Sequence, residues 1–106
     1  MIARLRPFSA IFLISCLGIT AAIAGKPEDA RLLASQCAQC HGTNGAGMET
    51  LAGKSYGELV DELIEMKQKT TELDIMHLHA RGYSDAQIDL IARYFSELPR
   101  PAGSSD

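Results

Sequence analysis

Apolar and polar positions follow different rhythms in successive stretches of the chain. From Phe8 to Ala24 the run is almost uncharged, with Arg4 and Arg6 before it and no acidic residue anywhere in the first 24 positions. Beyond it the apolar residues recur at helical spacing. Pro27, suited to a helix's first turn, is followed by Glu28 and Asp29, which complement the helix dipole, and Leu32, Leu33 and Ala34 lead toward Cys37. Four glycines between Gly42 and Gly53 predict an irregular loop lying on a surface. Ser55 with Glu58 forms a capping-box pattern ahead of Leu59, Val60, Leu63, Ile64 and Met66. Their helix would expose Glu58, Asp61, Glu62 and Glu65 as a solvated acidic face. Thr70 to Ile75 lacks a clean period, and Met76 to Arg81 reads as one or two helical turns closed by Gly82. Ser84 with Gln87 opens the clearest element, in which Ile88, Ile91, Ala92 and Phe95 share one face until Leu98, just before Pro99 and Pro101. No strand-like alternation or internal repeat appears. The expectation is an all-α domain of three main helices and loops whose apolar faces are too few to pack only on each other.

The N-terminal stretch has the form of a secretory signal peptide: two arginines, an apolar run of about 17 residues, and the small-x-small ending Ala22-Ile23-Ala24. A retained membrane anchor would need roughly 20 apolar residues and would lack that ending. Leu13-Ile14-Ser15-Cys16 resembles a lipobox, but apolar residues continue for eight positions past Cys16, where a lipoprotein would turn polar. Residues 1–24 are therefore expected to be removed on export to the periplasm, with lipidation at Cys16 the lesser alternative. No membrane span would remain in residues 25–106.

Removing 24 of 106 residues leaves an 82-residue domain in which eight basic side chains face thirteen acidic ones, a net charge of -5. No basic stripe is present to neutralise phosphates, which argues against nucleic acid as a partner. The composition also excludes collagen-like, coiled-coil and disordered chains, and the length excludes a two-domain enzyme. A domain this short is usually stabilised by a disulfide, a metal or a large cofactor. After residue 24 it has two cysteines, in Cys37-Ala38-Gln39-Cys40-His41.

Three chemistries use two cysteines at this spacing. A structural zinc site needs four ligands, and His77 and His79, one residue apart, are poorly spaced to complete it. A dithiol oxidoreductase needs a strand, helix and strand around the pair, and too little chain precedes Cys37 for the first strand. Covalent attachment of a c-type haem accounts for each residue of the motif: each thiol adds to one vinyl group, and the adjacent imidazole lies beneath the iron. Export fits this reading, because bacteria attach this haem outside the cytoplasm. No Ser, His and Asp constellation, phosphate-binding loop or acid and base carboxylate pair is evident. Tyr56, Tyr83, Tyr94 and Phe95 read as core or helix-crossing residues, with a tyrosine hydroxyl reaching a haem propionate the more specific alternative.

With Cys37-Ala-Gln-Cys-His41 early, Asp74-Ile-Met76 downstream, and Gly82-Tyr83-Ser-Asp running into Ile91-Ala-Arg-Tyr94-Phe95, the chain resembles the class I c-type cytochromes. Within that class it is most similar to the cytochrome subunits of flavocytochrome c sulfide dehydrogenases and related small periplasmic cytochromes. The resemblance implies a small class I cytochrome c fold wrapped around one haem over residues 25–106. It makes Cys37 and Cys40 the thioether residues, His41 the proximal ligand and Met76 the sixth ligand. Met48 lies only seven residues beyond His41, Met66 falls among the apolar residues of a helix, and His77 and His79 read as surface residues of a short helix; these are the competing ligands. The family commonly supplies a proline carbonyl to orient the histidine. Gly45 to Glu49 contains no proline, so the carbonyl that would orient His41 is open.

The implied function is electron carriage rather than catalysis, with a flavoprotein sulfide dehydrogenase subunit as the electron donor. A freely diffusing cytochrome is one alternative. A haem enzyme or ligand sensor with an open sixth position is another.

Overall fold

The computed structural model describes residues 26–104. The signal-peptide and Cys16 readings lie outside them. Among the described residues the regular structure is entirely helical: α1 (Pro27–Ala34), a 3-10 turn (Ser35–Cys37), α2 (Ala38–His41), α3 (Tyr56–Gln68), α4 (Ile75–Arg81) and α5 (Asp85–Glu97). No helix among them is long and apolar enough to cross a membrane.

Caps at the helix starts follow from the local sequence. Asp29 Oδ2 accepts the Lys26 N–H at 3.0 Å, which satisfies a donor at the start of α1. Ser84 and Gln87 form the full reciprocal box on α5, at 2.8 and 3.2 Å. On α3, Ser55 Oγ accepts from the Glu58 N–H at 3.3 Å, while the Glu58 carboxylate lies 3.7 Å from Lys54 Nζ. The Asp74 carboxylate caps α4 by accepting the N–H groups of Met76 and His77 at 2.9 and 3.1 Å, so that helix starts at Ile75, one residue before the apolar pattern suggests. Gly82 follows α4 in a right-handed conformation (φ -71°), not the left-handed one a glycine stop usually adopts. The N-terminal helix leads to the cysteines as expected, with α1 ending at Ala34 and tightening into the 3-10 turn, whose right-handed backbone runs directly into α2.

Helix α5 packs across both α1 and α3, and α3 also packs against α4. Ala34 and Ala92 are both buried in the core, and their small side chains allow close approach of the helices there. Leu59, Ile91 and Phe95 build the rest of the cluster, with the Tyr94 ring edge-on to Phe95 at 5.3 Å. Gly45 sits against Phe95 with φ +71°; a Cβ there would come within 2.9 Å of the ring. Outside the core, the Tyr56 hydroxyl donates to Asp89, and Arg93 lies over the Tyr56 ring at 5.0 Å while bonding Asp89 at 3.3 Å. Four large apolar side chains (Leu59, Ile88, Ile91 and Phe95) and five alanines make up the buried hydrophobic set among the described residues. So thin a core fits the expectation that the helices close around something other than each other.

Candidate cofactor site

Helix α2 is a single turn that places Cys37, Cys40 and His41 along one short stretch of backbone. Both thiols are unpaired; Cys37 is half-buried and Cys40 exposed. Burial pushes the Cys37 thiol above its ordinary pKa, the reverse of the lowered value that makes a redox-active dithiol nucleophilic.

His41 closes the turn and is only 6% exposed. Its Nδ1 lies 2.9 Å from the backbone carbonyl of Glu49. A carbonyl only accepts, so Nδ1 carries the proton, and the Nε2 lone pair is left for a metal. Here is the acceptor that the sequence left open. The loop reaches it by folding back on α2: the Gly47 N–H donates to the His41 carbonyl at 2.6 Å and the Met48 N–H to the Cys40 carbonyl at 3.0 Å. That approach requires a glycine, since a Cβ on residue 47 would sit 2.5 Å from both the Cys40 carbonyl oxygen and the His41 carbonyl carbon.

These groups open onto a cavity of about 510 Å³ whose walls include Cys37, Cys40, His41, Leu63, Ile75, Met76, Tyr83 and Ile91. Its size is within the range of cofactor pockets. A smaller recess of about 50 Å³ shares His41 and Met76 and adds Leu59, Met66 and Phe95. Met76 is half-buried and lines both. Met48 is 86% exposed at the rim, and His79, also exposed, lines the larger cavity. His77 is buried rather than at the surface, with Nδ1 2.6 Å from the Asp74 carboxylate and 3.0 Å from the Asp74 nitrogen. That engagement ties it into the α4 cap. Tyr83 lines the cavity, and burial, with a lesser contribution from Cys37, raises its hydroxyl pKa and keeps it neutral. Tyr56, by contrast, lies outside the cavity walls.

The residues present suit a large planar iron cofactor. Two thiols and an imidazole from one short stretch of helix line a mostly apolar cavity, and the Met76 thioether lines it too. Among the described residues no three His, Cys, Asp or Glu side chains converge as a zinc site would require. Sequence reasoning missed the Glu49 carbonyl, which as a backbone atom has no side-chain signature. It also missed the burial of His77, for which an Asp followed three residues later by a His at a helix start was the available signal.

Residues 29–99 match the cytochrome c family. The chain is 36% identical over 72 residues to the cytochrome subunit of sulfide dehydrogenase from Chlorobaculum tepidum, an alignment covering 65% of this chain. It spans 66% of that relative, just under two thirds of its length. No solved structure matches the chain.

Proposed function

The chain belongs to the cytochrome c family, and from that premise we propose that it carries single electrons on one haem c that Cys37 and Cys40 would tether and whose iron His41 and Met76 would ligate. The all-α arrangement is that of a small class I cytochrome, and the family's work is electron transfer rather than catalysis. When bound, the haem supplies a one-electron iron couple.

The protein's part is to hold, orient and dry that group. Cys37 and Cys40 would tether it through thioethers. His41 presents Nε2 in a fixed direction because Glu49 engages Nδ1, and a hydrogen-bonded imidazole is the stronger donor. Met76, at a helix start that Asp74 pins, would supply a thioether sulfur, a ligand that favours Fe(II) and so would raise the potential. Leu63, Ile91 and Tyr83 line the cavity and would shield a bound haem from water, which would strengthen this preference for the less charged oxidation state. The observation that carries the reading is the buried His41 imidazole, its tautomer set by Glu49, beside two unpaired thiols on a cavity of cofactor size.

The N-terminal pattern and the mode of haem attachment together support export to the periplasm. Similarity to a sulfide dehydrogenase subunit supports a flavoprotein that oxidises sulfide as the donor, with this chain the electron-accepting partner. Optical spectroscopy of the haem-loaded protein tests the ligand set. The oxidised form should show a methionine-to-iron charge-transfer band and ignore carbon monoxide when reduced. A high-spin spectrum altered by carbon monoxide or peroxide would instead identify an open sixth position. Copurification with a flavin-containing chain tests the partner, and its absence would leave a freely diffusing cytochrome.

A further inference from the structure

The Glu49 carbonyl sits in a glycine-rich loop with no proline to stiffen it, yet it must stay in register with a ligand's ring nitrogen. The Glu49 side chain leads to what steadies it. Lys54 Nζ lies 3.3 Å from Glu49 Oε1, 3.3 Å from Glu62 Oε1 and 3.7 Å from Glu58 Oε1, with the lysine side chain only 11% exposed. Lys54 thus joins the loop to two successive turns of α3.

The base of this clasp is itself fixed. On one side of Lys54, the Gly53 N–H donates to the Phe95 carbonyl at the end of α5 at 3.0 Å; on the other, Ser55 caps α3. The Lys54 N–H closes a turn onto the Leu51 carbonyl at 3.2 Å. Burial works to lower the Lys54 pKa, but the Glu49 and Glu62 carboxylates more than offset it, so the ammonium stays charged. An ammonium shared by several carboxylates has more hold than an isolated exposed pair.

We propose that Lys54 is a positioning residue for the His41 imidazole, acting through Glu49: its ammonium ties the Glu49 loop to α3 and thereby keeps the Glu49 carbonyl on His41 Nδ1. The proposal rests on the haem reading, since it is as a ligand that the ring needs a fixed direction.

The test is solvent exchange of the His41 Nδ1 proton in the haem-loaded protein, followed by NMR beside the Ile91 backbone amide as a monitor of global opening. Lys54→Met should speed Nδ1 exchange by about fivefold, the upper end of what a surface ion pair holds, and leave Ile91 unchanged. Lys54→Arg should restore the slow rate. The reduction potential gives an independent sign. Loss of the imidazole's hydrogen bond weakens its donation and raises the potential, whereas mere loss of a positive charge lowers it. Unchanged Nδ1 exchange in Lys54→Met, equal acceleration of Nδ1 and Ile91, or a lowered potential would each overturn the positioning role while the haem reading stands. A purified chain without covalent haem would overturn both.

Discussion

Gly47→Ala isolates the backbone approach on which the site depends. The added methyl would meet the Cys40 carbonyl oxygen and the His41 carbonyl carbon at 2.5 Å, and both are backbone atoms with no rotamer to escape into. Restoring ordinary contact means withdrawing the loop by roughly 1 Å. Three hydrogen bonds span that gap: Gly47 N–H to His41, Met48 N–H to Cys40, and His41 Nδ1–H to Glu49, at 2.6, 3.0 and 2.9 Å. At roughly 1 kcal/mol net for each, the haem-loaded variant should lose about 3 kcal/mol of stability. Urea unfolding followed in the Soret band measures this loss, and a higher reduction potential should accompany it because the imidazole loses its acceptor. A variant within about 0.5 kcal/mol of the parent, at the same potential, would refute the claim that this loop orients His41.

Met76→Ala should abolish the charge-transfer band near the red end of the oxidised spectrum, lower the potential and make the iron reactive toward carbon monoxide; an unchanged spectrum would remove Met76 as ligand. Ala92→Leu forces a larger side chain into a fully buried position of the core and should cost about 1–3 kcal/mol in urea unfolding, whereas a neutral result would mean that the core has slack there. The Tyr56 hydroxyl, with Arg93, holds the Asp89 carboxyl below the usual carboxylate range. The stability this brings is complete above the unfolded value of about 3.9 and is lost as pH falls through the lower folded value. Asp89→Asn should therefore melt nearer the parent's temperature at pH 3 than at pH 6; an equal difference at both would show that the carboxylate contributes nothing through its charge.

What was legible in the sequence was the chemistry that depends on side-chain spacing. Cys37, Cys40 and His41 share one helical turn, and Ser84 with Gln87 places the start of α5 to the residue. Periodicity found Ile88, Ile91, Ala92 and Phe95 as one buried face. What escaped was set by backbone groups and tertiary contacts. The acceptor for His41 is a carbonyl that any residue could provide, so the lack of proline read as a gap when the path of the loop had filled it. Leu32 looked like part of the apolar lead into the motif but points outward, because Ala30 and Ala34 occupy the buried stripe of α1. His77 looked like a surface residue until Asp74 drew its ring into the α4 cap.

The most direct test is the intact mass of the purified protein together with its absorbance. The account predicts a chain heavier than its amino acids by one haem, stable to acid extraction and carrying a Soret band that sharpens and shifts on reduction. A mass equal to the polypeptide alone, with no Soret band, would contradict it.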